Sequence, residues 1–306
     1  MVTDRIGVIG AGAMGALFGG YLHKAGTDVV LIDTWTDHVE AINEHGLRIE
    51  RTDADDFVVH PPAVTDPSDV ESVDSLLVFV KAMDTRQAIE DAEPIVTDET
   101  TVITLQNGLT NYETLREYLT PEQVLGGTTT MGASMEGPGH VLHTGQGETK
   151  VGGVDSAAAA TFANTLEDAG VETIVVDDPV PHIWDKQFVS VGIKPTAALT
   201  ELLDGPLGSH EETAWFMEQL VSEAVAVAEA RGVDIISDDP IETVYEVCEV
   251  NAETMSSMLE DVLKERPTEI DHITGAIVRY GDDVGVDTPY NRAATALVKG
   301  KQRSYQ

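Results

Sequence analysis

Two groups of residues carry the types and spacing that chemistry requires. The first is Gly10, Gly12 and Gly15, spaced G-x-G-x-x-G, with an acid, Asp33, closing the apolar run that follows. Glycines so spaced permit a tight turn, a close backbone approach to a pyrophosphate and close helix–strand packing; an acid about 20 residues on can bind ribose hydroxyls. The second is Lys186, Ser190 and Lys194, four residues apart and therefore on one face of a helix. A lysine facing a nicotinamide across a domain cleft can protonate a carbonyl oxygen as hydride reaches its carbon. It does so best when burial or neighbours bring its pKa toward the working pH. A solvated helical lysine has the same local pattern. Glu269 follows the Pro267-Thr268 break at the start of the next helical pattern, where the helix dipole alone also favours a carboxylate.

The elements needed to position these residues can be read in order. Ile6 to Ile9 is a short apolar run, Ala13 to about Lys24 a helical pattern stopped by Gly26, and Val29 to Ile32 a second apolar run. Strand, turn, helix and strand give the glycines their meaning: the backbone of Gly10, Gly12, Ala13, Met14 and Gly15 lines a phosphate-binding helix N-terminus. Thr36 to His45 reads as a helix with Thr36 or Asp37 near its N-cap. Leu47–Ile49 and Phe57–Val59 read as β structure. Residues 76–80 and 102–105 are continuous apolar runs, the mark of buried parallel strands. Lys81 stands at the end of the first and Asn107-Gly108 just past the second, where side chains can reach a ligand. Asp84-Thr85 can cap the helix between them, and Asn107-Gly108 is equally a plain turn. The Gly- and Thr-rich stretch 124–153 suggests extra strands at the sheet edge, with His143 a structural residue within it.

Beyond Asp178-Pro179 the pattern becomes wholly helical. One segment runs to Leu203 with Pro195 interrupting it, and Glu212–Ala230 is amphipathic with Gly232 at its C′ position. Asp239-Pro240 starts another helix, Met255 to Val262 mark the next, and a last one carries Ile270 to Tyr280. The expected fold is therefore an α/β Rossmann-type doubly wound sheet, residues 1–177, followed by an all-helical C-terminal domain, residues 178–306.

Composition narrows the partners. Fifty-four acids against 18 bases leave a net charge of −36. Clustered Lys and Arg are what nucleic acid requires, so that partner is excluded. Acids spread along the whole chain resemble those of salt-accumulating halophiles, where charge is screened within about 3 Å at 1 M salt. No apolar run approaches the ~18 residues of a membrane span, and no basic-then-apolar leader opens the chain, so a soluble, cytoplasmic protein is expected. The single cysteine, Cys248, reads as a core residue. The nine histidines show no metal-ligand spacing, so no metal is expected.

The fingerprint, VFVKAMD (78–84), LQNGLTN (105–111), GGTTTMGA (126–133), IWDKQ (183–187) and SSMLEDVLKERPTEID (256–271) together resemble the ketopantoate reductase (2-dehydropantoate 2-reductase) family over nearly the whole chain. The resemblance implies hydride transfer from a nicotinamide cofactor to the 2-keto carbon of ketopantoate, giving pantoate for coenzyme A synthesis. It implies that Lys186 is the catalytic lysine and Glu269 the essential glutamate. Asn107 and Ser257 fall on substrate-binding positions, and Lys81 and Asn107 on cofactor contacts. Two substrate-holding asparagines of the family are Ser190 and Lys194 here, and its 2′-phosphate-gripping arginine is Thr34, beside Asp33. NADH is therefore expected over NADPH, with a small 2-keto acid as substrate and a homodimer as assembly. A reductase of another 2-keto acid is the alternative. The 3-hydroxyacid dehydrogenases share the G-A-M-G fingerprint and a helical second domain, but no D-x-P-V-S-G-G stretch occurs near residue 120. A non-catalytic NAD(H) sensor would not need both Lys186 and Glu269.

Overall fold

A computed structural model describes residues 4–306. Two compact units divide the chain: the stretch up to Gln106 together with Asn111–Pro179, and Asn107–Thr110 together with Val180–Gln306.

The first unit begins β1 (Arg5–Ile9), α1 (Ala13–Lys24) and β2 (Asp28–Ile32), the strand–helix–strand order of the fingerprint. Both strands are apolar on two faces and buried, so each needs covering on either side. α2 (Thr36–His45) leads to β3 (Leu47–Arg51), β4 (Phe57–Val59), β5 (Ala63–Val64) and β6 (Ser75–Val78). Then come α3 (Thr85–Asp91), β7 (Thr101–Thr104), α4 (Thr110–Tyr118), β8 (Val124–Thr129), β9 (Gly132–Gly137), β10 (His140–Gly145), β11 (Thr149–Gly153), α5 (Ser156–Asp168) and β12 (Thr173–Val176). The main sheet has the order β12-β11-β8-β7-β6-β1-β2-β5. It is parallel except where β11 runs antiparallel to β8.

The Gly- and Thr-rich stretch does not simply extend that sheet. β8 and β11 join it, whereas β9 and β10 leave to form a second sheet, β4-β3-β10-β9. α1 is buried from Gly15 to Leu22 because it meets both layers. A Cβ on Gly19 would stand 2.5 Å from Leu31 of the main sheet, and one on Gly20 would stand 3.2 Å from Ile49 of the second. Small residues there let the helix fit between two apolar surfaces. His143 is structural: its Nε2 donates to the Gly145 carbonyl at 2.9 Å, and its Nδ1, 3.0 Å away, accepts from the Tyr21 hydroxyl of α1. Burial holds its pKa below the ordinary value, so the ring stays neutral.

The second unit contains α6 (Pro179–Thr200), α7 (Asp204–Ser209), α8 (Glu211–Ala230), α9 (Pro240–Val250), α10 (Ser257–Leu263), α11 (Thr274–Val284) and α12 (Pro289–Gln302). Its core joins Trp184, Phe188 and Val191 of α6 to Met217, Leu220, Val221 and Ala224 of α8 and to Cys248 of α9. Asp239 caps α9 by accepting from the N–H groups of Ile241 and Glu242, and Gly232 ends α8 with φ +73°.

Several local expectations are corrected. Pro195 does not interrupt α6, which continues to Thr200. Ile193, Ala197 and Ala198 on either side of it are buried, and that packing outweighs one missing backbone hydrogen bond. The N-cap of α2 is Trp35, and Asp84 at the N-cap of α3 makes no side-chain capping bond. Ile270–His272 is a one-turn 3₁₀ helix, and the last helix is α12. The Glu223 carboxylate of α8 caps α12 by accepting from the Tyr290 and Asn291 N–H groups at 2.9 Å each. Among the described residues no helix is long and apolar enough to cross a membrane.

Candidate functional site

In the first unit, Gly10 takes φ +87°, a conformation side-chain-bearing residues rarely adopt. Its N–H donates to the Ile32 carbonyl at 2.9 Å, tying the turn to β2. A Cβ on Gly15 would stand 2.0 Å from the Gly10 carbonyl oxygen, so helix and turn meet at a distance only glycine allows. Gly12, the N-cap of α1, faces open space: a Cβ there would meet nothing within 4 Å. Ala13 and Met14 begin the helix beyond it. An open backbone at a helix N-terminus is a place for a phosphate.

Asp33 follows β2 and is half-buried. Its N–H donates to the Val64 carbonyl at 3.1 Å, and its Oδ1 accepts from the Trp35 N–H at 2.9 Å. The Trp35 indole, 41 % exposed, stacks on His38 at 5.3 Å between ring centroids and 12° between planes. Nδ1 of the buried His38 accepts from the Gly139 N–H at 2.9 Å, which holds the ring in place. Burial pulls the His38 pKa down against the opposing effect of Asp33. Arg48 and Arg51 lie on β3 and pair with Asp56 and Asp53. Lys81 lies three residues past the end of β6 rather than directly at it. It is exposed, at the N-cap of a 3₁₀ turn over Ala82–Asp84.

Gln106 is a residue that sequence reasoning missed. Its Nε2 donates to the Val80 carbonyl at 2.6 Å and to the Thr85 hydroxyl at 3.0 Å, while its Oε1 accepts from Thr104. It therefore ties together the chain leaving β6 and β7. The only sequence signal was its place at the end of a buried strand.

In the second unit, α6 turns Trp184, Phe188 and Val191 into the core and carries Lys186, Ser190 and Lys194 on another face. Ser190 is buried, and the Lys194 ammonium is shielded from solvent. The Lys186 ammonium has its pKa brought down to about 7, first by desolvation and then by the charge of Lys194, against the opposing charge of Glu269. A lysine so placed holds and releases a proton near neutrality.

Glu269, 9 % exposed, precedes the 3₁₀ turn Ile270–His272. Three contacts fix its surroundings. Thr268 bonds to Oε1 of Gln302 on α12 through both its N–H and its hydroxyl. Asp271 pairs with Lys299 at 2.9 Å. His272 Nδ1 lies 2.7 Å from the Thr110 hydroxyl. Asn107, in the segment that Thr110 ends, precedes Gly108 at φ +97°. Ser257 is exposed at the first turn of α10, whereas its neighbour Ser256 is buried and caps that helix by accepting from the Leu259 N–H. The amines of Lys186 and Lys194 and the carboxyl of Glu269 thus share the second unit with Ser190, Ser257 and Asn107, while the phosphate-type turn and Asp33 stand in the first.

Fold and glycine turn define a Rossmann-type chain with an all-helical second unit. Residues 6–156 match the family described as "Ketopantoate reductase PanE/ApbA", and residues 180–302 match its C-terminal part. The chain belongs to the ketopantoate reductase family. It is 36 % identical over 302 residues to a "2-dehydropantoate 2-reductase" of Halobacterium salinarum, covering 98 % of this chain and 99 % of that one. A crystal structure of a PanE/ApbA family ketopantoate reductase from Ralstonia eutropha JMP134 superposes with a TM-score of 0.92 at 34 % identity, over 99 % of both chains. D-mandelate dehydrogenase, solved with NADH and anilino(oxo)acetate, superposes with a TM-score of 0.93 at 30 % identity, over 98 % of this chain and 99 % of that one.

Proposed function

We propose that this protein reduces ketopantoate to pantoate, in the pathway to pantothenate and coenzyme A. A nicotinamide cofactor, when bound, supplies the hydride. The observation that carries the reading is Lys186, a lysine whose pKa lies near 7 and on which Glu269 acts, in a chain of this family. Lys186 gives its proton to the forming alkoxide. Glu269 orients the Lys186 ammonium and accepts from the substrate hydroxyl. Asn107 addresses the carbonyl, Ser257 donates to the substrate, and Ser190 and Lys194 hold its carboxylate end.

Gly10, Gly12, Ala13, Met14 and Gly15 are the proposed phosphate contacts, supported by the open backbone at Gly12, and Lys81 and Asn107 the further cofactor contacts. Asp33 is the proposed ribose ligand. A carboxylate there accepts from both ribose hydroxyls and repels a 2′-phosphate. With Thr34 beside it and Arg48 and Arg51 engaged on β3, NADH is the preferred cofactor.

A second reading, a reductase of another 2-keto acid, is favoured by Lys194, a cation where the family has an asparagine, and by the likeness to D-mandelate dehydrogenase. One experiment separates them: kcat/KM for ketopantoate, 2-ketoisovalerate and phenylglyoxylate, each with NADH and NADPH. A site built to pair a substrate hydroxyl rejects analogues lacking it, so ketopantoate should exceed 2-ketoisovalerate by at least ~10²-fold. Comparable turnover of the two, or none of ketopantoate, moves the assignment to the second reading.

A further inference from the structure

The segment that carries Glu269 has little regular structure of its own. Pro267 has no N–H to donate, and Ile270–His272, with Glu269 at its N-cap, is a single 3₁₀ turn. A neighbouring helix supplies the missing support. Along one face of α12, at i, i+4 and i+7, Thr295, Lys299 and Gln302 run beside the segment in reverse order. The Thr295 and Thr274 hydroxyls lie 2.7 Å apart. Lys299 Nζ donates to both carboxylate oxygens of Asp271 at 2.9 Å. Gln302 Oε1 accepts from the Thr268 N–H at 3.0 Å and from the Thr268 hydroxyl. Bonds at Thr268 and Asp271, from a single helix, therefore bracket Glu269 on either side.

The same turn of α12 also holds the helix that bears Lys186. Lys301 lies between Lys299 and Gln302, and its Nζ donates to the Ala198 carbonyl at 2.8 Å and to the Glu201 carboxylate at 2.9 Å. Ala198 lies in the last turn of α6, whose final carbonyls need partners from outside the helix, and Glu201 follows that end at φ +61°. A cation there also suits the negative end of the helix dipole. The Lys299–Asp271 and Lys301–Glu201 pairs are partly exposed on both sides, and such pairs add little stability. Their effect is on position. Since α6 is continuous through Pro195, a pin at Ala198 sets where Lys186, Ser190 and Lys194 stand relative to the segment 268–274.

We propose that the last turn of α12 is a positioning clamp for the reductase site, with Gln302 as its principal residue: Gln302 and Lys299 hold the turn bearing Glu269, and Lys301 holds the end of the helix bearing Lys186. This rests on the reading of Lys186 and Glu269 as the reacting pair. A carboxylate that must orient an ammonium and accept from a substrate hydroxyl tolerates little displacement, since a misplacement of about 1 Å costs up to ~10²-fold in rate. Gln302, Lys299 and Lys301 act through their neighbours and need not touch the substrate.

The test separates the acceptor at residue 302 from the bulk of its side chain, with every assay run well below each variant's melting temperature. Gln302→Met keeps the length and removes the acceptor. It should lower kcat for ketopantoate about tenfold, while NADH affinity, read by fluorescence titration, stays unchanged because the glycine turn belongs to the other unit. Gln302→Glu keeps oxygens that accept from the Thr268 N–H and hydroxyl, and should restore kcat. Because Glu269 favours the charged form of Lys186, loosening it should also move the decline of kcat with rising pH to lower pH. Hydrogen exchange read by mass spectrometry reports the clamp without turnover: peptides covering 266–274 should exchange faster in Gln302→Met and at the unsubstituted rate in Gln302→Glu, with α8 unaffected in both. A kcat unmoved by Gln302→Met, or lowered equally by Gln302→Met and Gln302→Glu, overturns the proposal. If Gln302→Met does not fold, Lys301→Met is read instead, and a kcat equal to that of the unsubstituted enzyme overturns it as well. Exchange that follows the acceptor in a protein inactive on every 2-keto acid upholds the clamp on the turn and overturns the catalytic reading of Glu269 instead.

Discussion

The Thr110 hydroxyl lies 2.7 Å from Nδ1 of His272, joining residues 162 positions apart. His272 closes the one-turn helix whose N-cap is Glu269, and its N–H donates to the Glu269 carbonyl at 2.9 Å. One bond therefore connects the segment bearing Asn107 to the turn bearing the proposed substrate-orienting acid. Thr110→Val keeps the shape and removes a hydrogen bond of about 1 kcal/mol. It should lower kcat/KM roughly 5- to 10-fold while leaving the melting temperature within about 3 °C. An unchanged kcat/KM would show that the two segments hold their places independently.

Lys186→Ala should lower kcat by about 10²-fold or more, the usual worth of a general acid. Cofactor binding, measured by fluorescence titration, should survive because the glycine turn and Asp33 belong to the other unit. In the unsubstituted enzyme the reduction rate should decline as pH rises through about 7, where the Lys186 ammonium loses its proton. A rate flat from pH 6 to 9 would require the proton to come from another group.

The same lysine affects stability with a definite sign. Its pKa is about 7 in the folded chain against 10.5 ordinarily, so between those values the unfolded chain binds more protons. Lys186 therefore makes stability rise with pH from about 7 toward 10.5, because the folded protein holds the amine neutral. Asp204, raised from 3.8 to about 6, makes stability fall with rising pH between those values. Lys186→Met should flatten the upper slope and raise the melting temperature at pH 7 by about 2 to 5 °C while destroying activity. Denaturant unfolding at pH 7, 8.5 and 9.5 reads both, and a less stable Lys186→Met variant would contradict them.

Cofactor choice should reside at the end of β2. Asp33→Asn with Thr34→Arg removes the repulsion of a 2′-phosphate and adds a partner for it, and should shift the kcat/KM ratio toward NADPH by at least about tenfold. A ratio that stays where the unsubstituted enzyme has it would place the choice elsewhere.

Salt dependence follows from charge. With a net charge of −36, self-repulsion opposes the compact state until ions screen it. Stability and activity should both rise between 0.1 M and 2 M KCl. A melting temperature unchanged over that range would dismiss the halophilic reading.

Much of the molecule was legible along the chain because it depends on near neighbours in sequence. The apolar runs of β1, β2, β6 and β7, the turn at Gly10, Gly12 and Gly15, the stop at Gly26 and the Asp239-Pro240 helix start are each local matters of sterics, capping and burial. The four-residue spacing of Lys186, Ser190 and Lys194 likewise placed them on one helical face. The departure of β9 and β10 into a second sheet was not legible, since partner choice between β strands depends on packing against α1 rather than on local pattern. Nor was the passage of α6 through Pro195, where buried neighbours outweigh a local breaker. Asp287-Thr288-Pro289 did carry a start signal for α12, and its weight went unread beside the stronger pattern before it. The chemical state of the site was decided only in three dimensions. The spacing already placed Lys194 two turns along the same helix from Lys186, but the pKa of about 7 follows first from desolvation, with Lys194 adding to it and Glu269 opposing it, and burial and the approach of Glu269 exist only in the folded chain. Residue type and spacing determine which groups are available, whereas their electrostatic work depends on distance and solvent exclusion, which the folded chain alone supplies.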